Sequence, residues 1–245
     1  MASQNFIARP ALAVYNTGGG PAGDPYWDNV SLLLPFDGND GDTTTTDLSS
    51  FSNTVSAFNG VARIESDQSK FGGTSLFTGT SGYNSVQISS SPSLDLNTGD
   101  WCVECWIRLT TLTFPASFAG VAGQSPRNGG PQFLIYFNGK VGWWWGLGKE
   151  SFSGNTVLST DTWYHVAWVR ETASNTVKIY LNGVLDGSVS LSGSTSLGGT
   201  GDWYVGEARR LEIPFPGYID DFRITKGITR YTENFTPPTE AFPTN

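Results

Sequence analysis

The sequence predicts an all-β fold, two antiparallel sheets packed as a sandwich, and three observations carry that prediction. Short segments with period-2 apolar alternation recur along the chain, separated by turn residues at the spacing of an all-β domain. Two Asn-Gly dipeptides, Asn138-Gly139 and Asn182-Gly183, each join two such segments, and Asn-Gly is the strongest short hairpin signal. The composition is turn-rich and β-prone, with 30 glycines, 13% aromatic residues and only 15% charged residues. At 245 residues one sandwich can account for the whole chain. A domain of that size buries well over half of its unfolded surface, so it needs neither disulfides nor a metal to hold a core.

Residues 1–28 read as an N-terminal arm and residues 29–245 as the sandwich. The arm contains Thr17-Gly-Gly-Gly-Pro-Ala-Gly-Asp-Pro25, a turn-rich linker without apolar periodicity. Its apolar positions, Phe6, Ile7, Leu12, Val14 and Tyr15, are candidate docking residues, because an isolated arm has no core of its own and needs a surface to lie on. The reading favours a partner protein for that surface.

Val30 to Phe36 is apolar enough for a central strand. Ala62 to Glu65, Ser75 to Thr78 and Asn84 to Ile88 are shorter candidates. From Asp100 to Leu109, Trp101, Val103, Cys105 and Ile107 fall on one side, and Cys102, Glu104, Trp106 and Arg108 on the other. Phe118 to Gln124, Gln132 to Phe137, Val141 to Gly146 and Thr156 to Leu158 follow. Trp163 to Arg170, Thr176 to Leu181, Val184 to Leu191, Trp203 to Val205 and Tyr218 to Thr225 complete the set. Beyond Thr225 the proline-rich tail suits neither a helix nor a central strand.

The formal net charge is -8, with basic residues scattered and Arg209-Arg210 their only adjacent pair. That balance argues against a nucleic-acid partner, which needs clustered Lys and Arg. Apolar runs such as Leu32 to Leu34 are strand-sized, far below the roughly 20 residues of a spanning helix, so no membrane partner is expected. The first ten residues lack a charged segment followed by an apolar one, which points to synthesis in a cytoplasm. Two cysteines are too few for a disulfide framework.

A set of longer anchors then gives a family resemblance. They are Leu32-Leu-Leu-Pro-Phe-Asp-Gly38, Ser69-Lys-Phe-Gly-Gly-Thr-Ser75, Gly99-Asp-Trp-Cys-Val-Glu-Cys-Trp-Ile-Arg108, Asp161-Thr-Trp-Tyr-His-Val-Ala-Trp-Val-Arg170, Val177-Lys-Ile-Tyr-Leu-Asn-Gly-Val184 and Gly217-Tyr-Ile-Asp-Asp-Phe-Arg-Ile224. In order and spacing they resemble the laminin G-like, concanavalin A-like lectin jelly roll, over about Tyr26 to Pro243. The ending Arg-Ile-Thr-Lys-Gly-Ile-Thr-Arg-Tyr, followed by Asn-Phe-Thr-Pro-Pro, resembles the variant found in bacteriophage tail and virion structural proteins. The resemblance implies a binding or structural module rather than an enzyme, although fold alone does not settle function.

Some concanavalin A-like sandwiches are glucanases, which hold two carboxylates across one sugar-binding face. The Glu-x-Asp-x-x-Glu and Glu-x-Asp-x-Glu patterns of the retaining type are absent here. Glu104 reads as a lone solvent-side or salt-bridged carboxylate. His165, the only histidine, reads as a strand residue with hydrogen-bonded nitrogens. Cys102 and Cys105 fall on opposite faces of an extended strand and are expected to be buried thiols. No cofactor is required. The resemblance does imply a structural calcium near the chain ends, with Asp220 as ligand and Asp37 contributing. It also implies a carbohydrate or partner surface, for which Trp143, Trp145, Tyr204, Arg209 and Arg210 are candidates.

The function expected from this reading is a non-enzymatic bacteriophage virion protein, tail or capsid-attached, made in the bacterial host cytoplasm. Its arm would dock on other virion proteins, in the symmetric homo-oligomer usual for particles. The alternative is a receptor-binding module for a host-surface glycan, and a glycan hydrolase is a distant third.

Overall fold

The structure, a computed structural model, describes residues 23–80, 82–114, 116–125, 130–145, 151–192, 197–208 and 213–245. Fifteen strands are named among them: β1 (Val30–Leu34), β2 (Val55–Asn59), β3 (Arg63–Glu65), β4 (Ser75–Phe77), β5 (Ser85–Ile88), β6 (Trp101–Leu109), β7 (Phe118–Gln124), β8 (Pro131–Tyr136), β9 (Lys140–Trp145), β10 (Ser151–Val157), β11 (Trp163–Glu171), β12 (Thr176–Leu181), β13 (Val184–Ser190), β14 (Trp203–Val205) and β15 (Gly217–Lys226). They form two antiparallel sheets. One runs β13-β12-β11-β6-β15-β4-β3, with β1 also paired to β15; the other runs β10-β9-β8-β7-β14-β5-β2. This is the expected two-sheet jelly-roll sandwich. The docking candidates Phe6, Ile7, Leu12, Val14 and Tyr15 lie outside the described residues.

Strand positions follow the sequence periodicity closely, with two departures. β2 is not foreseen by the sequence pattern. It is an edge strand, its residues are half-buried or exposed, and so its alternation is blurred. β10 begins five residues before the predicted segment, because Ser151, Ser153 and Gly154 carry no apolar signal. The two Asn-Gly turns also differ. Asn182 and Gly183 both have positive φ, 48° and 76°, as a type I′ hairpin requires. At the other turn only Gly139 does, so Phe137 to Gly139 forms a three-residue loop closed by the glycine.

The inner faces of the sheets meet over an aromatic centre. Phe133 lies 5.9 Å from Trp101, 5.1 Å from Trp168 and 5.9 Å from Trp203, the first two edge-on and the last stacked. Such pairs add about 0.5–1.5 kcal/mol each beyond the burial of their surface. Cys105 belongs to this core, whereas Cys102 packs on the opposite side of the same strand, as a period of two demands.

One irregularity decides what faces where on β15. Asp220 pairs with Trp106 and Arg223 with Glu104, so two residues on β15, Asp221 and Phe222, answer one on β6, Cys105. The extra residue is a β-bulge, and Asp221 within it has φ 51°. The bulge reverses the alternation. Asp220 therefore shares the outer face with Trp106, while Phe222 and Ile224 enter the core. An unbroken period of two would set Asp220 beside Phe222 and Ile224; the bulge moves it to the opposite face.

The tail after β15 lies across the outer face of the eight-stranded sheet. Tyr231 and Phe235 stack at 3.6 Å and 6°, and they cover Cys102, Ala167, Val169 and Tyr180. Phe242 packs on Val30 and Leu33, with Trp27 beside them. The ends of the described chain meet where Asp24 N–H donates to the Asn245 carbonyl at 2.7 Å. At one side the sandwich is closed by Asp186 on β13, whose carboxylate accepts from Asn155 and Thr156 on β10.

Candidate functional site

A continuous cross-strand row runs over the outer face of the seven-stranded sheet. Trp144 pairs with Gln132, Gln132 with Gly123, Gly123 with Tyr204, Tyr204 with Gln87 and Gln87 with Ala57. Directly paired residues share a face, so these side chains stand side by side on the surface away from the core. From Trp144 to Tyr204 the row crosses three interstrand steps, about 14 Å at 4.8 Å per step. Trp144, Gln87 and Ala57 are partly exposed, and the centre of the row is recessed.

Gln132 is the chemically distinctive member. It is fully buried, and its Nε2 donates to the carbonyls of Gln124 at 2.9 Å and Gly130 at 3.2 Å. These two bonds fix the amide's orientation. Its Oε1 is left without a hydrogen-bond partner among the described residues. A buried acceptor in that condition costs about 1–3 kcal/mol. Gly123 makes the position available, since a Cβ there would lie 2.2 Å from that oxygen. Beyond Tyr204, Gln87 donates through Nε2 to Asp202 at 2.7 Å.

The sequence candidates distribute unevenly over this geometry. Tyr204 lies in the row. Trp143 and Trp145 do not: both are buried and belong to the core, Trp143 with none of its surface exposed. The part-exposed ring of the triple-tryptophan run is Trp144, because it alone falls on the outward phase of β9. Arg209 and Arg210 lie outside the described residues. Gln132 and Gln87 were missed, although the alternation of Gln132, Leu134 and Tyr136 against Phe133 and Ile135 was readable; glutamine gives no signal of burial.

A second polar group lies under the C-terminal tail and serves the fold. Glu104 is completely buried, not on a solvent side. Its Oε1 accepts from Arg223 Nε at 3.0 Å and Nη2 at 2.8 Å, and its Oε2 from the Tyr231 hydroxyl at 2.8 Å. Arg223 and Arg230 both reach Asp24, at 2.7 and 2.9 Å. Burial alone would raise the Glu104 pKa. The Arg223 charge, the His165 contact and Arg230 outweigh it and hold the carboxyl well below the usual range. His165 Nε2 stands 3.3 Å from Glu104, neither ring nitrogen has a hydrogen bond among the described residues, and the ring is packed among Trp106, Phe235 and Phe242. The expectation of hydrogen-bonded ring nitrogens is corrected accordingly.

The calcium ligands proposed by the resemblance can be tested against their surroundings. Asp220 Oδ2 already accepts from the backbone N–H groups of Lys70 at 2.7 Å and Phe71 at 3.1 Å. Asp37 is near enough to influence its charge. Among the described residues no group of three or more His, Cys, Asp or Glu side chains could hold a metal ion.

The fold of the sandwich matches that of lectin-like and receptor-binding domains. The chain belongs to the concanavalin A-like lectin/glucanases superfamily, whose family model matches residues 79–229. No curated protein sequence matches it. Among solved structures it is similar to the binding domain of Paraclostridial Mosquitocidal Protein 1, with 15% identity, a TM-score of 0.61, and 83% of this chain covering 50% of that one. It is similar also to a structure of botulinum neurotoxin type C, the cell entry of which is dependent upon interaction with two ganglioside molecules; identity is 17%, TM-score 0.62, and coverage 83% and 49%. A third is domain 4 of an extracellular arabinanase from Geobacillus stearothermophilus in complex with arabinotriose, with 18% identity, TM-score 0.60, and coverage of 82% and 94%. The chain spans about half the length of the two toxin structures.

These matches correct the bacteriophage reading. The similar structures are toxin binding domains and a sugar-bound module, not tail, capsid or other virion proteins. The virion localisation and the virion partners of the arm fall with it. The physical reason lies in the anchors themselves. Asn182-Gly183 makes a turn, and the closing strand seats a bulge; such features report a sandwich and say nothing of the particle that carries it.

Proposed function

We propose that this chain is a receptor-recognition module for a cell-surface glycan, bound on the outer face of the seven-stranded sheet. The observation that carries the reading is the oriented Gln132 amide, whose oxygen stands without a donor between Trp144 and Tyr204. A sugar supplies both partners this arrangement needs: hydroxyl donors for the amide and an apolar ring face for the aromatic side chains. Two of the similar structures support the reading by what is said of them, ganglioside interaction for one and bound arabinotriose for another.

The test is binding of the purified chain to an array of host-surface glycans and arabinan oligosaccharides. Specific binding is expected, and it is expected to weaken in Trp144→Ala while the melting temperature stays within a few degrees. No binding to any glycan, or undiminished binding by the variant, would overturn the proposal.

A further inference from the structure

A sheet edge is a row of unpaired backbone groups, and natural sandwiches cover theirs. On β3, Ile64 N–H donates to the Asp42 carbonyl and the Ile64 carbonyl accepts from Gly41, both at 2.8 Å. On β1, Leu33 N–H donates to Asp47 Oδ1 and its carbonyl accepts from Leu48, both at 2.9 Å. Asp186 holds β10 to β13, and β13 meets the tail where Leu185 N–H donates to Asn234 Oδ1 at 2.9 Å. β2 lacks such a cover. It pairs only with β5, and among the described residues no hydrogen bond reaches the outer side of Val55 to Phe58. Instead a groove runs there, with Thr43 to Thr45 as its opposite wall.

We infer that this groove is the docking site of the chain's own N-terminal arm, with Ala11 to Tyr15 adding to the free edge of β2 as one more strand. Strand addition takes its affinity from edge backbone groups and its fit from alternate side chains. The groove has no charged residue in its lining; Val55, Ala57 and Phe58 are half-buried, and the threonines offer hydroxyls. Ala11-Leu-Ala-Val-Tyr15 is uncharged too, sets Leu12 and Val14 on one face, and has the five-residue length of β2. Pro10, which cannot donate to a ladder, bounds it. The threonine wall stands where a neighbouring sheet would have to lie, so a lone strand suits the groove better than the sheet edge of a second copy. The arm also joins the domain on the same side. Asn53, two residues before β2, donates through Nδ2 to the carbonyl of Ser31 at 2.7 Å, and Ser31 lies on β1, the strand that follows the arm. The eight steps from Gly23 back to Tyr15 give a reach of up to about 29 Å. Attachment in the same chain keeps the segment at high effective concentration. This inference is independent of the glycan reading.

The experiment is hydrogen exchange of the full chain, wild type against the double variant Leu12→Asp with Val14→Asp, with the oligomeric state followed by light scattering on dilution. The backbone amides of Val55 to Phe58 should exchange about tenfold faster in the variant, while those of β11 and the melting temperature stay unchanged. In wild type that protection should persist in the monomer. Equal exchange of the β2 amides in the two chains would overturn the inference and leave the edge open to an outside partner. Protection found only in a dimer would overturn it as well, and would assign the groove to the arm of a second copy.

Discussion

Arg223 stands directly across the ladder from Glu104 and holds one oxygen of its carboxylate with two nitrogens, Nε at 3.0 Å and Nη2 at 2.8 Å. The pairing exists because of the bulge at Asp221. Without the extra residue Arg223 would point into the core and Phe222 would lie on the outer face. The bulge thus joins the sheet, the tail and the start of the domain, since the same guanidinium reaches Asp24 at 2.7 Å.

Removing one partner of a buried ion pair leaves the other charge uncompensated. Arg223→Met should therefore destabilise the fold by about 3–5 kcal/mol, read as a lower urea midpoint. The double variant Glu104→Leu with Arg223→Met should recover much of that loss. A double variant as unstable as the sum of the two single variants would show that the pair is not a unit.

Stability should fall on the alkaline side. Burial pushes Asp220 up to about 8 and Asp221 up to about 7, against the ordinary value of 3.8; backbone N–H donors oppose this in both, and neighbouring carboxylates reinforce it. The folded chain keeps protons that the unfolded chain releases near pH 4, so this contribution is complete below that pH and is lost as pH rises through 7 and 8. The melting temperature should drop from pH 6 to pH 9, and Asp220→Asn should flatten the slope. Glu104 acts in the opposite sense: its carboxyl is held low, so its contribution disappears only in strong acid. Added calcium at pH 9 tests Asp220 and Asp37 as a cation site: a rise in melting temperature that a chelator reverses would place the ion there, and no change would remove it.

The two cysteines make the tail measurable. Cys102 lies beneath Tyr231 and Phe235, and Cys105 lies in the core between the sheets. Deleting residues 229–245 should open one thiol to a thiol reagent under native conditions and leave the second protected. Two reactive thiols would mean that the tail holds the sandwich together rather than merely covering it.

Adjacent tryptophans should behave differently. Trp143→Ala empties a fully buried site and should cost about 3–5 kcal/mol of stability. Trp144→Ala should change stability far less and weaken glycan binding. Equal losses of stability in the two variants would contradict the assignment of faces on β9.

Much of this was legible in the residues. The alternation from Trp101 to Leu109 and the turn at Asn182-Gly183 depend on neighbours in sequence, so local pattern is enough to read them. β2 escaped because an edge strand half in water has little reason to alternate. Asp220 was placed on the wrong face because a bulge shifts the phase without leaving a signature in side-chain hydrophobicity.

The candidate site shows the same division. The period of two along β9 separates Trp144 from Trp143 and Trp145, but it does not tell which of the two sets faces the core. That depended on which side the second sheet came to cover. Likewise Gln132, Gly123, Tyr204 and Gln87 are scattered over more than a hundred residues and become neighbours only through strand pairing. By itself the sequence determined an acidic, all-β sandwich with its strands and turns nearly in place, since these follow from periodicity and backbone conformation. Only the tertiary structure decided which polar groups are buried and which of them meet, because those are properties of long-range pairing.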